Sequence, residues 1–248
     1  MKFLVIGETC SDRFCYGNAS RLCPEAPAPV FVPEGGAESL GMATNVYKNL
    51  QAVDKKVNKN LPVRHQIELC TNTPCGHKTR YLDKASNQMF LRVDTDSYNA
   101  CRKLPNNIEQ YDAVVVSDYN KGFLSDKNLL EIAQRARLSF LDTKKQCNPL
   151  WSRKFSFIKI NEKEYEENRW EQSLENLIIT KAGRGCSHGN KNYRLKKPCE
   201  VRDVSGAGDT FLAAFSYSFA LTYNIDDSIL YAQDCCQKVI SKKGVVTI

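Results

Sequence analysis

Five short apolar runs recur along the chain, and each of them stops at a polar residue. The runs are rich in β-branched and aromatic residues, which favour strands. They are FLVIGE (3–8), AVVVSDY (113–119), SFLDTK (139–144), FIKINE (157–162) and LIITKA (177–182). Stretches with helical periodicity separate them, such as SDKNLLEIAQRAR (125–137), whose apolar positions fall on one side. The alternation predicts an α/β fold with three layers, in which helices cover both faces of a mostly parallel sheet.

The polar residues that end the runs share one expected location. Ligands of parallel α/β sheets bind outside the carboxyl ends of the strands. We therefore expect a binding site at that edge, although contact with solvent explains any single polar strand end equally well. The residues concerned are Glu8, Asp118, Asp142, Asn161 and Thr180.

Two segments break this pattern and predict a second, smaller sheet. PEAPAPVFV (24–32) has prolines too frequent for a helix and ends as a short strand. KTRYLDKASNQMFLRVD (78–94) alternates like a β-hairpin with KASN as its turn. We expect a small antiparallel β lid with strands from about 20–33 and 78–94. The stretch 51–65 is polar and weakly patterned, which predicts a solvated connection.

Composition narrows the class of protein. The chain has 248 residues, 42% apolar and 25% charged, which is ordinary for a soluble globular protein and predicts a single domain over 1–248. Its charge of +7 is spread along the chain without a nucleic-acid-binding signature, so we expect small anionic ligands rather than nucleic acid. No run approaches the roughly 18 apolar residues of a membrane helix, and no signal-peptide cleavage site follows the first strand. A cytoplasmic protein without a membrane partner is predicted.

The cysteine count is high and odd, at eleven. Without a secretory signal, reduced thiols are the expected state. Two groups lie close together in sequence, Cys10 with Cys15 and Cys23, and Cys70 with Cys75 and His77. Neither has the paired C-x2-C spacing of a structural zinc site, so ordinary buried thiols are preferred over metal ligands.

The stretch DVSGAGDTF (203–211) is the part of the chain whose residues point most directly to a chemical function. Small residues precede a helix that is expected to begin near Asp209, with Phe211, Phe215 and Phe219 at helical spacing on a buried face. The free amides of a helix N-terminus attract anions, and small residues let an anion approach closely. An acid beside a bound phosphate makes sense as the base that takes a proton from an attacking hydroxyl. The simpler alternative is that Asp209 only stabilises the first helical turn.

Two other phosphate-binding patterns are absent. A Walker loop needs G-x4-G-K-[ST], which occurs nowhere in the chain. The dinucleotide fingerprint needs a third glycine where this chain has Phe211, and it belongs after a first strand. The turn therefore belongs to neither class.

DVSGAGDTF, set before the penultimate helix, resembles the signature of the ribokinase-like (PfkB) carbohydrate kinases. Further stretches fall in the order seen in the heptose-7-phosphate kinase branch, and the resemblance spans nearly the whole chain. It implies a ribokinase-like α/β fold and ATP-dependent, magnesium-dependent phosphorylation of a sugar, at the anomeric hydroxyl of D-glycero-D-manno-heptose 7-phosphate. The stretches are GETCSDRFCYG (7–17), SRLCPEAPAPV (20–30), GMATNV (41–46), KTRYLDKASNQMFLRVD (78–94), SDYNKG (117–122) and NEKE (161–164).

The resemblance assigns the reaction to the small-residue turn. It implies that Asp209 is the catalytic base and that the amides of Gly206, Ala207 and Gly208 form the anion hole. It points weakly to Asp203 for the monovalent-cation site that some members have.

Two other matches to the family's motifs imply which residues bind the nucleotide. Asn161 and Glu164 match an N-x-x-E motif, which implies that they hold Mg²⁺, through water, and the phosphates of ATP. Thr180 and Gly185 match the strand and loop that line the nucleotide. Asn161 has a simpler alternative role as the cap of the following helix.

The residues expected to bind the sugar acceptor lie mostly after the first strand and in the lid. Asp12 matches the residue that binds sugar hydroxyls, with Arg13 next to it. A solvated charge at a sheet edge is the simpler explanation for any single lysine or arginine of the hairpin. Family analogy also implies a homodimer through the lid sheet. The other residues expected near the acceptor are Asn45, Lys78, Arg80, Asn87, Gln88, Arg92 and Asp118.

Several departures from the family keep other functions open. Glu8 stands where the branch has Asp, Met42 replaces the second glycine of a pair, and Ala182 replaces a nucleotide-loop glycine. Between Asn45 and Lys78 the chain is shorter by about a strand and part of a helix. The alternatives are a kinase for another sugar or a nucleoside, and a non-catalytic protein that binds a nucleotide or sugar phosphate.

Overall fold

The fold is described from a computed structural model for residues 1–59, 65–73, 76–96, 98–171, 174–195, 204–242 and 246–248. Within these residues there are two β-sheets and six α-helices. The strands are β1 (Lys2–Gly7), β2 (Thr9–Leu22), β3 (Pro29–Met42), β4 (Gln66–Thr71), β5 (Gly76–Asp83), β6 (Met89–Thr95), β7 (Ala113–Asp118), β8 (Ser139–Thr143), β9 (Phe157–Asn161), β10 (Leu177–Thr180), β11 (Cys186–His188) and β12 (Lys191–Tyr193). The helices are α1 (Ala43–Val57), α2 (Asp126–Arg135), α3 (Pro149–Ser152), α4 (Glu162–Glu167), α5 (Ala207–Thr222) and α6 (Ile225–Ile240).

The larger sheet has eight strands in the order β12-β11-β10-β9-β8-β7-β1-β4. From β4 to β10 every neighbouring pair is parallel, and only β11 and β12 run antiparallel at one edge. The five predicted strands are confirmed as β1, β7, β8, β9 and β10. The mostly parallel α/β fold predicted from their spacing is therefore confirmed.

Each face of this sheet is covered by helices over its own core. One core packs α1, α5 and α6 against the sheet, with Phe140, Phe157 and Phe215 in aromatic contact. The other packs α2 and α3 on the opposite face, around the fully buried Trp151. Neighbouring residues of β8, Phe140 and Leu141, point into different cores, as alternation along a strand requires.

The solvated connection predicted for 51–65 is wrong over its first part. Residues up to Val57 continue helix α1, because Val46, Leu50 and Val53 form a narrow fully buried stripe along it. The polar majority of the segment hid that stripe. Strand β4, which pairs with β1, was not predicted, and 60–64 lie outside the described residues.

The second sheet has the order β3-β2-β5-β6. The predicted hairpin is confirmed as β5 and β6, but β2 and β5 run parallel, so the sheet is only partly antiparallel. Its first two strands span Thr9–Leu22 and Pro29–Met42, far beyond the predicted 20–33. The glycines and acids of PEGGAESLG concealed the length of β3, because such residues are depleted in strands.

Candidate active site

The small-residue turn leads directly into α5 at the carboxyl edge of the large sheet. Gly206 precedes the helix with φ 79°, a left-handed conformation that glycine adopts without strain. Asp209 lies in the first helical turn and is 4% exposed. Both of its oxygens accept hydrogen bonds, Oδ2 from Asn45 Nδ2 at 2.9 Å and Oδ1 from the Tyr119 hydroxyl at 2.9 Å. The carboxylate is therefore oriented from two sides.

The surroundings of Asp209 make it more basic than a solvated aspartate. Burial raises its pKa from 3.8 to about 6, and the nearby charge of Asp142 adds to the increase. The hydrogen bonds from Asn45 and Tyr119 and the charge of Lys159 act in the opposite direction. At neutral pH the group is ionised yet close enough to its pKa to accept a proton.

The predicted anion hole is only partly available. The Ala207 N–H donates to the Val204 carbonyl at 3.2 Å, so this amide closes the turn, and its part in the anion hole stays a prediction. Within the part of the chain that the structure describes, Gly206 and Gly208 have no main-chain acceptor for their amides. The site thus offers two amides at the helix N-terminus.

A buried ion pair that sequence reasoning missed lies beside this turn. Lys159 Nζ is 2.5 Å from Asp142 Oδ2, across the neighbouring strands β9 and β8. Burial opposes the charge of Lys159, but the carboxylates of Asp142, Glu164 and Asp209 raise its pKa above the ordinary value. A lysine in the middle of the apolar run FIKINE was the available signal, because such a run otherwise excludes charges.

Asn161 and Glu164 form a reciprocal capping box at the start of α4. Asn161 Oδ1 accepts from the Glu164 N–H, and Glu164 Oε2 accepts from the Asn161 N–H, both at 2.9 Å. The capping role of Asn161 is therefore present. Burial and the charge of Asp142 raise the pKa of Glu164, while Lys159 and Lys144 lower it. The capping box uses one Glu164 oxygen, and the nucleotide role of both residues stays a prediction.

Thr180 and Gly185 are placed by the sheet edge. The Thr180 hydroxyl donates to the Ile160 carbonyl at 3.2 Å. Gly185 has φ 90°, and any Cβ there would overlap the Tyr193 carbonyl, so only glycine fits. Both residues shape the turn from β10 into β11, and their nucleotide role stays a prediction. Asp203 lies outside the described residues.

Asp12 lies on the face of the lid sheet that meets the large sheet. It is 5% exposed, and its Oδ1 accepts from Arg80 at 2.6 Å. Gly41 allows this position, because a Cβ there would overlap Asp12 Oδ2. Lys78, on the same face, holds its ammonium 5.4 Å from the Tyr119 ring centre. The structure thus brings Asp12, Arg80 and Lys78 together beside the residue that contacts Asp209.

Tyr119 is a functional candidate that the sequence did not reveal. Its hydroxyl donates to Asp209, and its ring contacts two ammonium groups, that of Lys78 from the lid at 5.4 Å and that of Lys144 at 4.7 Å. Cation–π contacts of this kind hold a ring in place. SDYNKG was noted as a motif, but nothing in its pattern showed which residue would reach a helix 90 positions later.

Four other predicted acceptor residues are not brought to Asp209. Arg13 alternates with Asp12 along β2 and pairs with Glu38 on the other face at 3.3 Å. Arg92 is exposed and forms a bidentate pair with Asp94. Asn87 and Gln88 lie in the hairpin turn beside Gly17, about 16 Å along β2 from Asp12 at ~3.3 Å per residue.

Asp118 serves the loop that carries Tyr119. It is 1% exposed, accepting from the Asn120 N–H and, at 2.6 Å, from the Thr143 hydroxyl. Burial, together with the charge of Glu8, raises the pKa of Asp118 to about 6. Glu8 accepts three more amides from the same loop, those of residues 119, 121 and 123, at 2.7, 3.0 and 3.3 Å. Two buried acids therefore fix residues 119–123, and the acceptor role of Asp118 stays a prediction.

No group of three or more His, Cys, Asp or Glu side chains with metal-binding geometry occurs among the described residues. Nine cysteines in these ranges are free thiols, while Cys75 and Cys199 lie outside them. No helix of the described chain is both long and apolar enough to cross a membrane.

Comparison with known proteins assigns the family. A family model described as pfkB family carbohydrate kinase matches residues 71–248, well over half of the chain. The chain belongs to the pfkB family. Among curated relatives, the bifunctional protein HldE of Nitratiruptor sp. is 29% identical over 292 aligned positions, covering 99% of this chain. The chain spans 63% of that relative's length, and the alignment exceeds the chain's 248 residues, so the relative has insertions.

Solved structures support the same fold. The ribokinase of Arabidopsis thaliana, solved with ribose and ATP, has a TM-score of 0.70 at 14% identity, covering 98% of this chain and 93% of that one. The ribokinase of Thermotoga maritima gives 0.69 at 14% identity, covering 98% and 94%. At such identities the likeness shows the pfkB fold alone.

Two departures from the pfkB pattern coincide with unusual backbone. Met42, where a glycine was expected, has φ 60° and ψ −130° and immediately precedes α1. Ala182, also at an expected glycine, has φ 48°. Both residues keep a conformation that suits glycine, which costs on the order of 1–3 kcal/mol for other residues. The backbone at these two points therefore keeps a course that favours glycine although the side chains are larger.

Proposed function

We propose that this chain transfers the γ-phosphoryl group of ATP to a sugar phosphate, at the anomeric hydroxyl of D-glycero-D-manno-heptose 7-phosphate. The observation that carries the proposal is the position of Asp209. A buried, oriented carboxylate lies in the first turn of α5, next to the amides of Gly206 and Gly208. A base beside an anion-attracting helix N-terminus is the arrangement that phosphoryl transfer to a hydroxyl requires.

In this mechanism the acceptor enters between the lid and the large sheet. Asp12 would hold its hydroxyls, and Lys78 and Arg80 would meet its phosphate, because both cations lie on the inner face of the lid. The acceptor hydroxyl gives its proton to Asp209 while its oxygen attacks the phosphorus. Closure of the lid would exclude water, which otherwise competes as a nucleophile.

The nucleotide would lie over β9 and β10. Magnesium, when bound, neutralises charge on the phosphates of ATP. Asn161 and Glu164 fit a hydrated Mg²⁺, because they supply oxygen ligands and the capping hydrogen bond occupies only one Glu164 oxygen. Thr180 and Gly185 would line the nucleotide. A monovalent cation at Asp203 remains part of the proposal.

The choice of acceptor rests on the relatives. Proteins named HldE match nearly the whole chain at 25–29% identity. Three basic side chains on the lid's inner face, Lys78, Arg80 and the more exposed Arg92, also favour an anionic acceptor over a neutral one. A kinase for another sugar or a nucleoside is the main alternative, since the shortened segment after Asn45 adjoins the acceptor side. A non-catalytic binding protein is disfavoured by the intact Asp12 and Asp209.

The test is ADP release with Mg²⁺–ATP and a panel of heptose 7-phosphate, hexose phosphates, ribose and nucleosides. Turnover confined to heptose 7-phosphate supports the proposal, and turnover with another acceptor selects the first alternative. ATP binding without any turnover selects the non-catalytic protein. Asp209→Asn should keep ATP binding and lower turnover roughly 100-fold or more, the effect of a positioned base. Near-normal turnover of that variant would remove Asp209 from the role of base.

A homodimer through the lid is also part of the proposal. On the lid face opposite Asp12, the edge strand β6 exposes two neighbouring apolar side chains, Leu91 at 56% and Val93 at 43% exposure. Exposed apolar side chains that lie together favour a protein interface. Sedimentation should give a dimer for the natural chain and a monomer for Leu91→Glu, with Leu150→Glu, exposed on α3, as the control. A monomeric natural chain would contradict this.

A further inference from the structure

A buried ammonium group lies against the small-residue turn and has no part in the mechanism above. Lys159, in the middle of β9, is 5% exposed, and its Nζ is 2.5 Å from Asp142 Oδ2. A Cβ atom added to Gly208 would lie 2.9 Å from this Nζ. The ammonium therefore sits directly beside the first turn of α5, next to the residue that precedes Asp209. Glycine at 208 keeps the space between cation and helix open.

The ion pair leaves most of the ammonium's donors unused. A lysine ammonium has three N–H donors. Asp142 is its only hydrogen-bond acceptor in the described ranges, so two donors remain. Burial of a charge is costly unless its hydrogen bonds are made. A buried cation with two free donors, beside a helix N-terminus, is therefore suited to an anion with several oxygens.

We propose that Lys159 is a catalytic residue that binds the phosphoryl group during transfer, and that Asp142 positions its ammonium beforehand. The inference rests on the proposed function, because the anion is the γ-phosphoryl group of a nucleotide. The acceptor oxygen forms a bond to phosphorus as the bond to the β,γ-bridging oxygen breaks. ADP leaves with that electron pair, and the hydroxyl proton passes to Asp209. Lys159 donates to the non-bridging oxygens and undergoes no covalent change.

The charges around Lys159 set its protonation state. Lys159 interacts electrostatically with Asp209 and Glu164 as well as with Asp142, and these three carboxylates raise its pKa. The excess negative charge around the ammonium keeps it protonated, which a phosphate clamp requires at neutral pH.

The first test compares Lys159→Met with Lys159→Arg, and uses Lys127→Met, an exposed lysine on α2, as the matched control. Calorimetry measures the affinities for ADP and for the imido analogue of ATP, and ADP release gives kcat. Lys159→Met should weaken the imido analogue at least about 10-fold more than ADP and lower kcat about 10²–10³-fold. Lys159→Arg should keep the affinity ratio, and Lys127→Met should match the natural chain. An unchanged ratio in Lys159→Met overturns the inference.

A second test separates catalysis from folding. Replacing a buried ion pair by apolar residues is often neutral or stabilising, so Lys159→Met combined with Asp142→Leu should unfold in urea near the natural midpoint. The inference expects this double variant to keep the low kcat of Lys159→Met. Recovery of natural turnover would show that Lys159 only pairs with Asp142. Absence of nucleotide binding and turnover in the natural chain would instead refute the proposed function itself.

Discussion

Asp209→Asn should make the protein more stable while abolishing its proposed activity. The structure buries this carboxylate, and burial raises its pKa from 3.8 to about 6. At about 1.4 kcal/mol per pKa unit, the ionised side chain destabilises the native state by about 3 kcal/mol at high pH. An asparagine has no charge to bury. Its oxygen can accept from Asn45, and its amide can donate to the Tyr119 oxygen, so both hydrogen bonds survive. We expect a gain of about 2–3 kcal/mol at pH 8.

The pH dependence of this gain has a definite sign. Because the native pKa is raised, the unfolded state releases its proton first as pH rises, which destabilises the native state between pH 3.8 and about 6. The advantage of asparagine is therefore complete above pH 6, about half at pH 5, and lost near pH 3.8. Urea unfolding followed by circular dichroism at pH 5 and pH 8, without nucleotide, measures both values.

The matched control is Asp96→Asn. Asp96 is exposed and pairs with Lys121, so its removal should change the free energy of unfolding by less than about 1 kcal/mol at either pH. The reasoning is refuted if Asp209→Asn is no more stable than the natural chain at pH 8. A gain that is equally large at pH 5 would show that some effect other than ionisation is responsible.

Two further substitutions probe the site and the backbone. Tyr119→Phe removes a hydrogen bond that lowers the pKa of Asp209 and keeps the ring that contacts two ammonium groups. A hydrogen bond to a charged group is worth about 1.5–3 kcal/mol. The acid limb of the pH profile of kcat/KM, expected near pH 6, should therefore move to higher pH by about one to two units. An acid limb that stays near pH 6 would contradict the contact, and Tyr223→Phe is the control. Ala182→Gly removes the strain of a left-handed alanine, which is worth about 1–2 kcal/mol. It also adds conformational entropy to the unfolded chain, which costs about 0.5–1 kcal/mol of stability. Urea unfolding should show a small net gain, and a loss of stability would argue against strain at this position.

Much of the large sheet was predictable because its strands are buried on both faces. Such strands appear as short continuous apolar runs, and β7 is buried at every position. Strand β4 lies at the edge, and its residues are half-buried, so QIELCT carries no comparable signal. The second half of α1 was missed for a related reason, because Val53 is its only fully buried apolar residue and the rest of 51–57 is mostly polar.

The residues of the candidate site also differ in how far the sequence predicts them. Asp209 and its turn were predictable because the small residues, the acid and the buried helix follow one another in sequence. Tyr119, Asp142 and Lys159 act on that turn from other strands, and their contacts depend on which strands are neighbours in the sheet. Sequence spacing does not contain this information. Arg13 illustrates the opposite error, because its neighbour Asp12 faces the site and alternation turns Arg13 away.

The two acids beneath the loop of residues 119–123 have a consequence for inhibitor binding. Glu8 and Asp118 fasten this loop to β1, β7 and β8, whereas Asp12, Lys78 and Arg80 belong to a separate sheet. One wall of the proposed acceptor site is thus anchored to the large sheet, and the proposed closure would move the lid against it. A compound that touches only Tyr119 and Asp209 would meet the same surface in the open and the closed enzyme. One that also reaches Asp12 would gain its affinity from closure and dissociate more slowly.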